Sequence, residues 1–276
     1  MGSDASKRRT DTANVHLNVL GQERTFPIEV GLGERRVMEI LPAAREFAHQ
    51  TTAAAVEQAR AEGKQISCKA GCGACCRQLV GISVVEARAV ADVVASMPDE
   101  RRREIEARFA SAVEKLEAAG LLATWMPKGD RAIIGKDYGN PLLTRKQAAH
   151  HYFKQGIPCP FLENESCSIY EQRPLVCREY HVTSPAENCR KLYEVSVDAI
   201  PPPVYMCQPL SRTASAMAGT QPVTIPLVLS LEWTRVHGRE LETQVDGMAL
   251  FTEFLRQVDA QWKQPFAERD TEAGMG

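Results

Sequence analysis

The sequence predicts a mainly α protein with a short N-terminal β-hairpin and an irregular, cysteine-rich middle. Three observations carry this reading. Apolar residues alternate from Val15 to Val30, then recur at three- and four-residue steps from Arg35 onward. From Gly156 the helical pattern gives way to a loop-rich stretch in which prolines and cysteines concentrate. The chain of 276 residues, 44% apolar and 25% charged, has the ordinary composition of a globular protein and is long enough to bury a substantial core.

Taken in order, residues 1–13 are polar, with Asp4, Lys7, Arg8, Arg9 and Asp11, and read as a disordered leader. Val15, Leu17 and Val19, a turn at Gly21, and Phe26, Ile28 and Val30 make the hairpin, which Gly31 and Gly33 end. Arg35 to Lys64 reads as one amphipathic helix through Ile40, Ala44, Phe47, Thr51, Ala55 and Ala59. Pro42 either kinks it or marks its first turn, and Gly63 ends it. Ser83 to Met97 is a second helix, with Ser83 as N-cap and Glu86 completing a capping box. Glu100 to Ala119 is a third, stopped by Gly120. Residues 123–141, with Pro127, Gly129, Gly135, Gly139 and Pro141, form a loop or linker, and 142–155 look helical. Pro201-Pro202-Pro203 is a rigid break, after which Pro226 to His237 and Leu241 to Trp262 read as helices. The domain expectation is a leader at 1–13, a cysteine-bearing domain at 14–200, a helical extension at 201–263 and a flexible tail at 264–276.

Lys and Arg total 33 against 35 Asp and Glu, a net charge of −2, so no global field points to nucleic acid or an anionic membrane. The longest apolar run, Val223 to Leu231, contains Pro226 and falls well short of the roughly 20 residues of a membrane span. The basic N-terminal residues have no apolar segment directly behind them, so no secretory leader and a cytoplasmic location are expected. In a reducing compartment, nine cysteines point to metal binding or redox chemistry, and an odd number does not close a disulfide framework.

The first cysteine block places Cys68, Cys72, Cys75 and Cys76 within nine residues. At helical spacing these positions share one face, although a loop also clusters them. A core stripe imitates that pattern, but Leu or Ala would serve a core better than four thiols. Thiolates so close repel one another, and a cation is the simple way to hold them together. Gly71 and Gly73 let backbone N–H groups approach sulfur. The second block carries Cys159, Cys167 and Cys177 on loops stiffened by Pro158, Pro160 and Pro174, spacings too long for a zinc knuckle. Cys189 follows, giving eight candidate ligands, while Cys207 lies beyond the triple proline and is left out. Arg77, Arg173 and Arg178 flank cysteines and would offset thiolate charge. His181 is an alternative to one thiolate, and His150 and His151 receive no role.

Together, Cys68-x3-Cys72-x2-Cys75-Cys76, Cys159-Pro-Phe-Leu, Cys167-x-Ile-Tyr, Arg173-Pro174 and Cys177-Arg178 resemble the CxxCxxCC cysteine-cluster (YkgJ-like) family, over about residues 66–180. One departure is the three residues, rather than two, between Cys68 and Cys72. That family is described as zinc- or iron-chelating and includes bacterial flagellin lysine N-methylases. The resemblance therefore implies a helical domain tied by a cysteine-ligated metal ion (zinc or iron) or an iron–sulfur cluster such as 4Fe–4S, in a bacterial protein. For one branch it also implies a cluster-dependent protein lysine N-methyltransferase using S-adenosylmethionine on a protein substrate. No glycine-rich loop of the Rossmann kind is visible for that cofactor. The spacing of Cys68, Cys72 and Cys75 equals that of radical S-adenosylmethionine enzymes, but Ala74 stands where those usually carry an aromatic residue. A metal chaperone or redox sensor is a third reading of the same cysteines.

Overall fold

The structure, a computed structural model, describes residues 9–133 and 145–263. About half of the chain is helical, and it opens with an antiparallel strand pair. Strands β1 (Thr10–Val19) and β2 (Gln22–Gly31) pair from Thr10↔Gly31 to Val19↔Gln22. Leu20 and Gly21 both have positive φ, 54° and 85°, the turn that matches the natural twist of a two-residue hairpin. The strand begins at Thr10, so the polar stretch expected to be a leader overlaps it. Only residues 1–8 lie outside the described residues at this end. Alternation puts Val15, Val19, Phe26, Ile28 and Val30 inward.

A short strand β3 (Glu34–Arg36) and one 3-10 turn precede α1 (Leu41–Ala61). Pro42 lies in the first turn, where its missing N–H costs nothing, and Gly63 ends the segment at φ 81°. Strand β4 (Gly81–Ser83) leads into α2 (Val84–Ala95). The expected capping box is present: Glu86 N–H donates to Ser83 Oγ at 3.2 Å, and Ser83 N–H donates to Glu86 Oε2 at 3.0 Å. Helix α3 (Asp99–Ala118) carries acidic residues in its first turn and Lys115 in its last, as its dipole favours. Helix α4 (Arg145–Lys154) falls within the expected 142–155 segment. Gly135, Gly139 and Pro141 lie outside the described residues.

The loop-rich middle contains β5 (Leu162–Glu163), β6 (Ser166–Cys167), α5 (Leu175–Glu179), β7 (His181–Val182) and β8 (Ala199–Ile200). Helix α6 (Cys207–Ala218) follows, then β9 (Thr224–Pro226), α7 (Ser230–His237), β10 (Gln244–Asp246) and α8 (Gly247–Trp262). Two of these differ from the sequence expectation. Helix α6 had no counterpart, although Pro209 near its start and Gly219 at φ 70° after its end are ordinary helix signals. The helix expected over Leu241 to Trp262 starts only at Gly247, because Gln244–Asp246 pairs with β3 and Asp246 caps the helix by accepting from Ala249 N–H at 2.9 Å.

One apolar core runs through the hairpin, α1, α2, α3, α6 and α8 and reaches Phe161, Ile169, Leu175 and Val176 of the cysteine-bearing middle. Phe26, Phe47 and Phe254 meet edge-on, with centroids 5.8 and 6.4 Å apart. Residues 201–263 therefore share this core with the hairpin and α1, and β4–β9 and β3–β10 tie the two ends of the chain together.

Candidate metal centre

The first cysteine block is a chain of turns between α1 and β4, and the helical face that its spacing allows does not form. Gly71 sits at φ 83°, a conformation a helix interior excludes. Successive turns instead carry bonds from Cys72 N–H to Lys69 O (3.2 Å), Cys76 N–H to Gly73 O (3.1 Å) and Gln78 N–H to Cys75 O (3.0 Å). The start of the block is laid against β7: Ser67 N–H donates to Val182 O at 2.9 Å, and Val182 N–H donates to the Cys68 sulfur at 3.3 Å.

The second block is joined to the first by backbone contact. Cys159 N–H donates to Cys76 O at 2.7 Å. The β5–β6 hairpin turns through Asn164 and Glu165, both at positive φ (47° and 60°), and this tight turn packs onto Gly73. A Cβ on Gly73 would lie 2.5 Å from Leu162 Cδ1 and 2.6 Å from Glu165 O, so only glycine fits between the blocks. Glu165 also binds Arg77 at 2.6 Å and Arg190 at 2.8 Å, linking the first block to the segment that carries Cys189. Backbone N–H groups of Phe161 and Ile169 favour the charged forms of Cys159 and Cys167.

Cys177 lies on the short helix α5, whose start is held by Glu86: Leu175 N–H donates to Glu86 Oε1 at 2.6 Å. The same buried carboxylate thus caps α2 and fixes α5. Sequence reading identified the cap; the second role joins residues 89 positions apart and has no local signature.

The thiols gather in two neighbourhoods. Cys68, Cys72, Cys75 and Cys189 surround a small apolar cluster of Ala74 and Val182. Cys159, Cys167 and Cys177 pack against the main core. Cys75 stands at the junction, because its charge would act on Cys68 and Cys189 and also on Cys159, Cys167 and Cys177. None of the nine cysteines is in a disulfide. Cys207 is apart, buried at the start of α6 with its thiol 3.8 Å from Gly81 O.

Burial and crowding make ionisation costly here. Burial pushes the Cys159 thiol up to about 12 and Cys189 to about 11, the latter against the pull of the Tyr180 hydroxyl. Cys177 is raised well above its ordinary value by burial and by its neighbours Cys75, Cys159 and Cys167. Cys75 is raised chiefly by its hydrogen bond to Cys76. Of the three flanking arginines, Arg77 is committed to Glu165, and Arg178 braces the 171–173 loop through Arg173 O at 3.0 Å. Arg173 is the one whose charge draws Cys68, Cys75 and Cys167 down, and its buried Nε has no hydrogen-bond partner. His181 sits on β7 with Nδ1 3.4 Å from Glu179 O, and burial lowers its pKa. His150 on α4 lies against Tyr193, centroids 4.6 Å apart.

Among the described residues, no three His, Cys, Asp or Glu side chains already stand as a coordination shell. The donor set is nonetheless the right kind: soft sulfur ligands, partly buried, with N–H donors and one cation beside them, suit zinc, iron or an iron–sulfur core. No helix among the described residues is long and apolar enough to cross a membrane.

Residues 67–197 match the family model CxxCxxCC, described as a "putative zinc- or iron-chelating domain". That span contains the eight gathered cysteines, including Cys189, and leaves out Cys207. No curated protein and no solved structure matches the chain.

Proposed function

We propose, for a chain whose residues 67–197 form a CxxCxxCC-family domain, that the protein holds zinc, iron or an iron–sulfur cluster on thiolates drawn from Cys68, Cys72, Cys75, Cys76, Cys159, Cys167, Cys177 and Cys189. The observation that carries this is the gathering of free thiols from three separate segments around Cys75, in surroundings that penalise their ionisation. A bound cation reverses that penalty, since it favours the thiolate at each ligand and releases protons on binding. When bound, such a centre supplies a crosslink between the segments, and an iron–sulfur core adds a one-electron store.

The two neighbourhoods support a ligand set divided between Cys68, Cys72 and Cys189 on one side and Cys159, Cys167 and Cys177 on the other. Cys75 lies between them, and Cys76 is joined to the second group through its backbone carbonyl, so either residue can complete one group or the other. Arg173 then balances the residual negative charge of the centre.

Anaerobic purification followed by metal analysis and a visible spectrum tests the proposal. Zinc gives a colourless, zinc-loaded protein, and an iron–sulfur cluster gives a brown one with matching iron and sulfide. Cys75→Ser loses most of the metal and Cys207→Ser keeps it. A protein with neither zinc nor iron, or equal metal content in the two variants, refutes the assignment.

A further inference from the structure

A cavity of about 750 Å³ lies between the β4–β9 pair and α7, lined by residues that take no part in the cysteine site. That volume suits a small-molecule ligand. Its wall is mostly apolar, with Leu79, Met126, Ile225 and Trp233. The apolar surface continues outward: Val223 lines the cavity at 39% exposure, and Val236, 54% exposed, packs on Gly129.

One end of the cavity is charged. His237 Nε2 lies 2.8 Å from Asp130 Oδ1 and its Nδ1 lies 3.0 Å from Glu240 Oε1, with the ring stacked on Trp233 at 5.3 Å. Even a doubly protonated imidazole leaves this group of three with excess negative charge. Arg131, also on the wall, offers no free cation, since it is held by both Glu117 and Glu232. On the lining itself, Asp130 and Glu240 share the one imidazole while Arg131 is held by two carboxylates of its own, and the C-terminal end of α7 at His237 adds its negative dipole. An anion would meet repulsion at this end, whereas a cation with an apolar body matches both the charge and the wall.

We propose that this cavity is a binding site for a small organic cation, an ammonium or amidinium carried on an apolar stem. The ammonium takes the Asp130 and Glu240 end, and the stem lies along Ile225 and Trp233. The site is independent of the cysteines, and its ligand is either a free amine or a basic side chain of a polypeptide.

The test titrates the full chain by calorimetry with benzylammonium, with its uncharged counterpart benzyl alcohol, and with a short capped peptide containing one lysine. Benzylammonium is expected to bind saturably and about tenfold more tightly than benzyl alcohol, the difference a partly desolvated charge contributes. Asp130→Asn and Glu240→Gln, at half-exposed positions where folding is retained, each weaken it about threefold. Both charged probes support the site: tighter binding of the free amine assigns it to a small molecule, tighter binding of the peptide to a polypeptide side chain. Equal affinity for benzyl alcohol, unchanged affinity in both variants, or no saturable binding of either charged probe overturns it.

Discussion

Gly73→Ala is the substitution that most directly addresses how the cysteine blocks are joined. The added Cβ would sit 2.5 Å from Leu162 Cδ1, 2.6 Å from Glu165 O and 2.7 Å from Glu165 C, against 3.4 Å or more for ordinary contact. The Leu162 methyl can rotate away, but the two Glu165 atoms are backbone in a tight turn of two positive-φ residues. Relief therefore requires the β5–β6 hairpin to move by close to an ångström. That movement strains the Cys159 N–H to Cys76 O bond and the Arg77–Glu165 pair. Overpacking of this kind costs about 2 kcal/mol, which for a chain of 276 residues lowers the midpoint of thermal unfolding by about 3–4 °C. Differential scanning fluorimetry with and without chelator, alongside metal analysis, reads both consequences. Gly71→Ala is the control, since a Cβ there meets open space and only the positive φ is penalised, by about 1 kcal/mol. Gly73→Ala is expected to lose metal and Gly71→Ala to keep it. A Gly73→Ala protein with wild-type midpoint and metal content refutes the account of block joining.

Glu165→Gln removes the charge shared by Arg77 and Arg190; because the carboxylate is exposed to solvent, global stability changes little, while a chelator strips metal faster as the Cys189 segment loosens, which a stopped-flow chelation assay measures. Arg131→Met strands Glu232 beside a buried position and is expected to cost about 3 kcal/mol in urea denaturation, where a loss below about 1 kcal/mol would mean the pair is effectively solvated. His237 gives a pH signature. Burial alone would lower its pKa, but the bonds to Glu240 and Asp130 outweigh this and hold it above 6.5. Its contribution is therefore fully present below 6.5 and lost as pH rises through the raised value, by less than about 1 kcal/mol. Urea denaturation of Asp130→Asn/Glu240→Gln should show a flatter pH dependence than wild type above pH 6.5, and parallel curves would contradict it.

Features specified by neighbours in the chain were legible in the sequence. The hairpin follows from alternation at Val15 to Val30 and the Leu20-Gly21 turn, and the α2 start follows from Ser83 and Glu86, three residues apart. The ends of α1 and α3 follow from Gly63 and Gly120. Where a distant partner decides, the local pattern misled. Gln244–Asp246 continues a helical pattern but pairs with Glu34–Arg36 more than 200 residues away. The spacing of Cys68, Cys72, Cys75 and Cys76 suits a helix, yet the block instead follows the surfaces offered by β7 and the β5–β6 turn.

The candidate site divides along the same line. The identity of the thiols, their clustering in two blocks and the exclusion of Cys207 came from residue type and spacing, because thiolate chemistry is a property of the side chain itself. Tertiary structure alone decided which thiols are neighbours, which arginine faces them and which is consumed by Glu165. Those outcomes depend on backbone contacts such as Cys159 to Cys76, between segments 83 residues apart, and no local propensity encodes a contact over that distance.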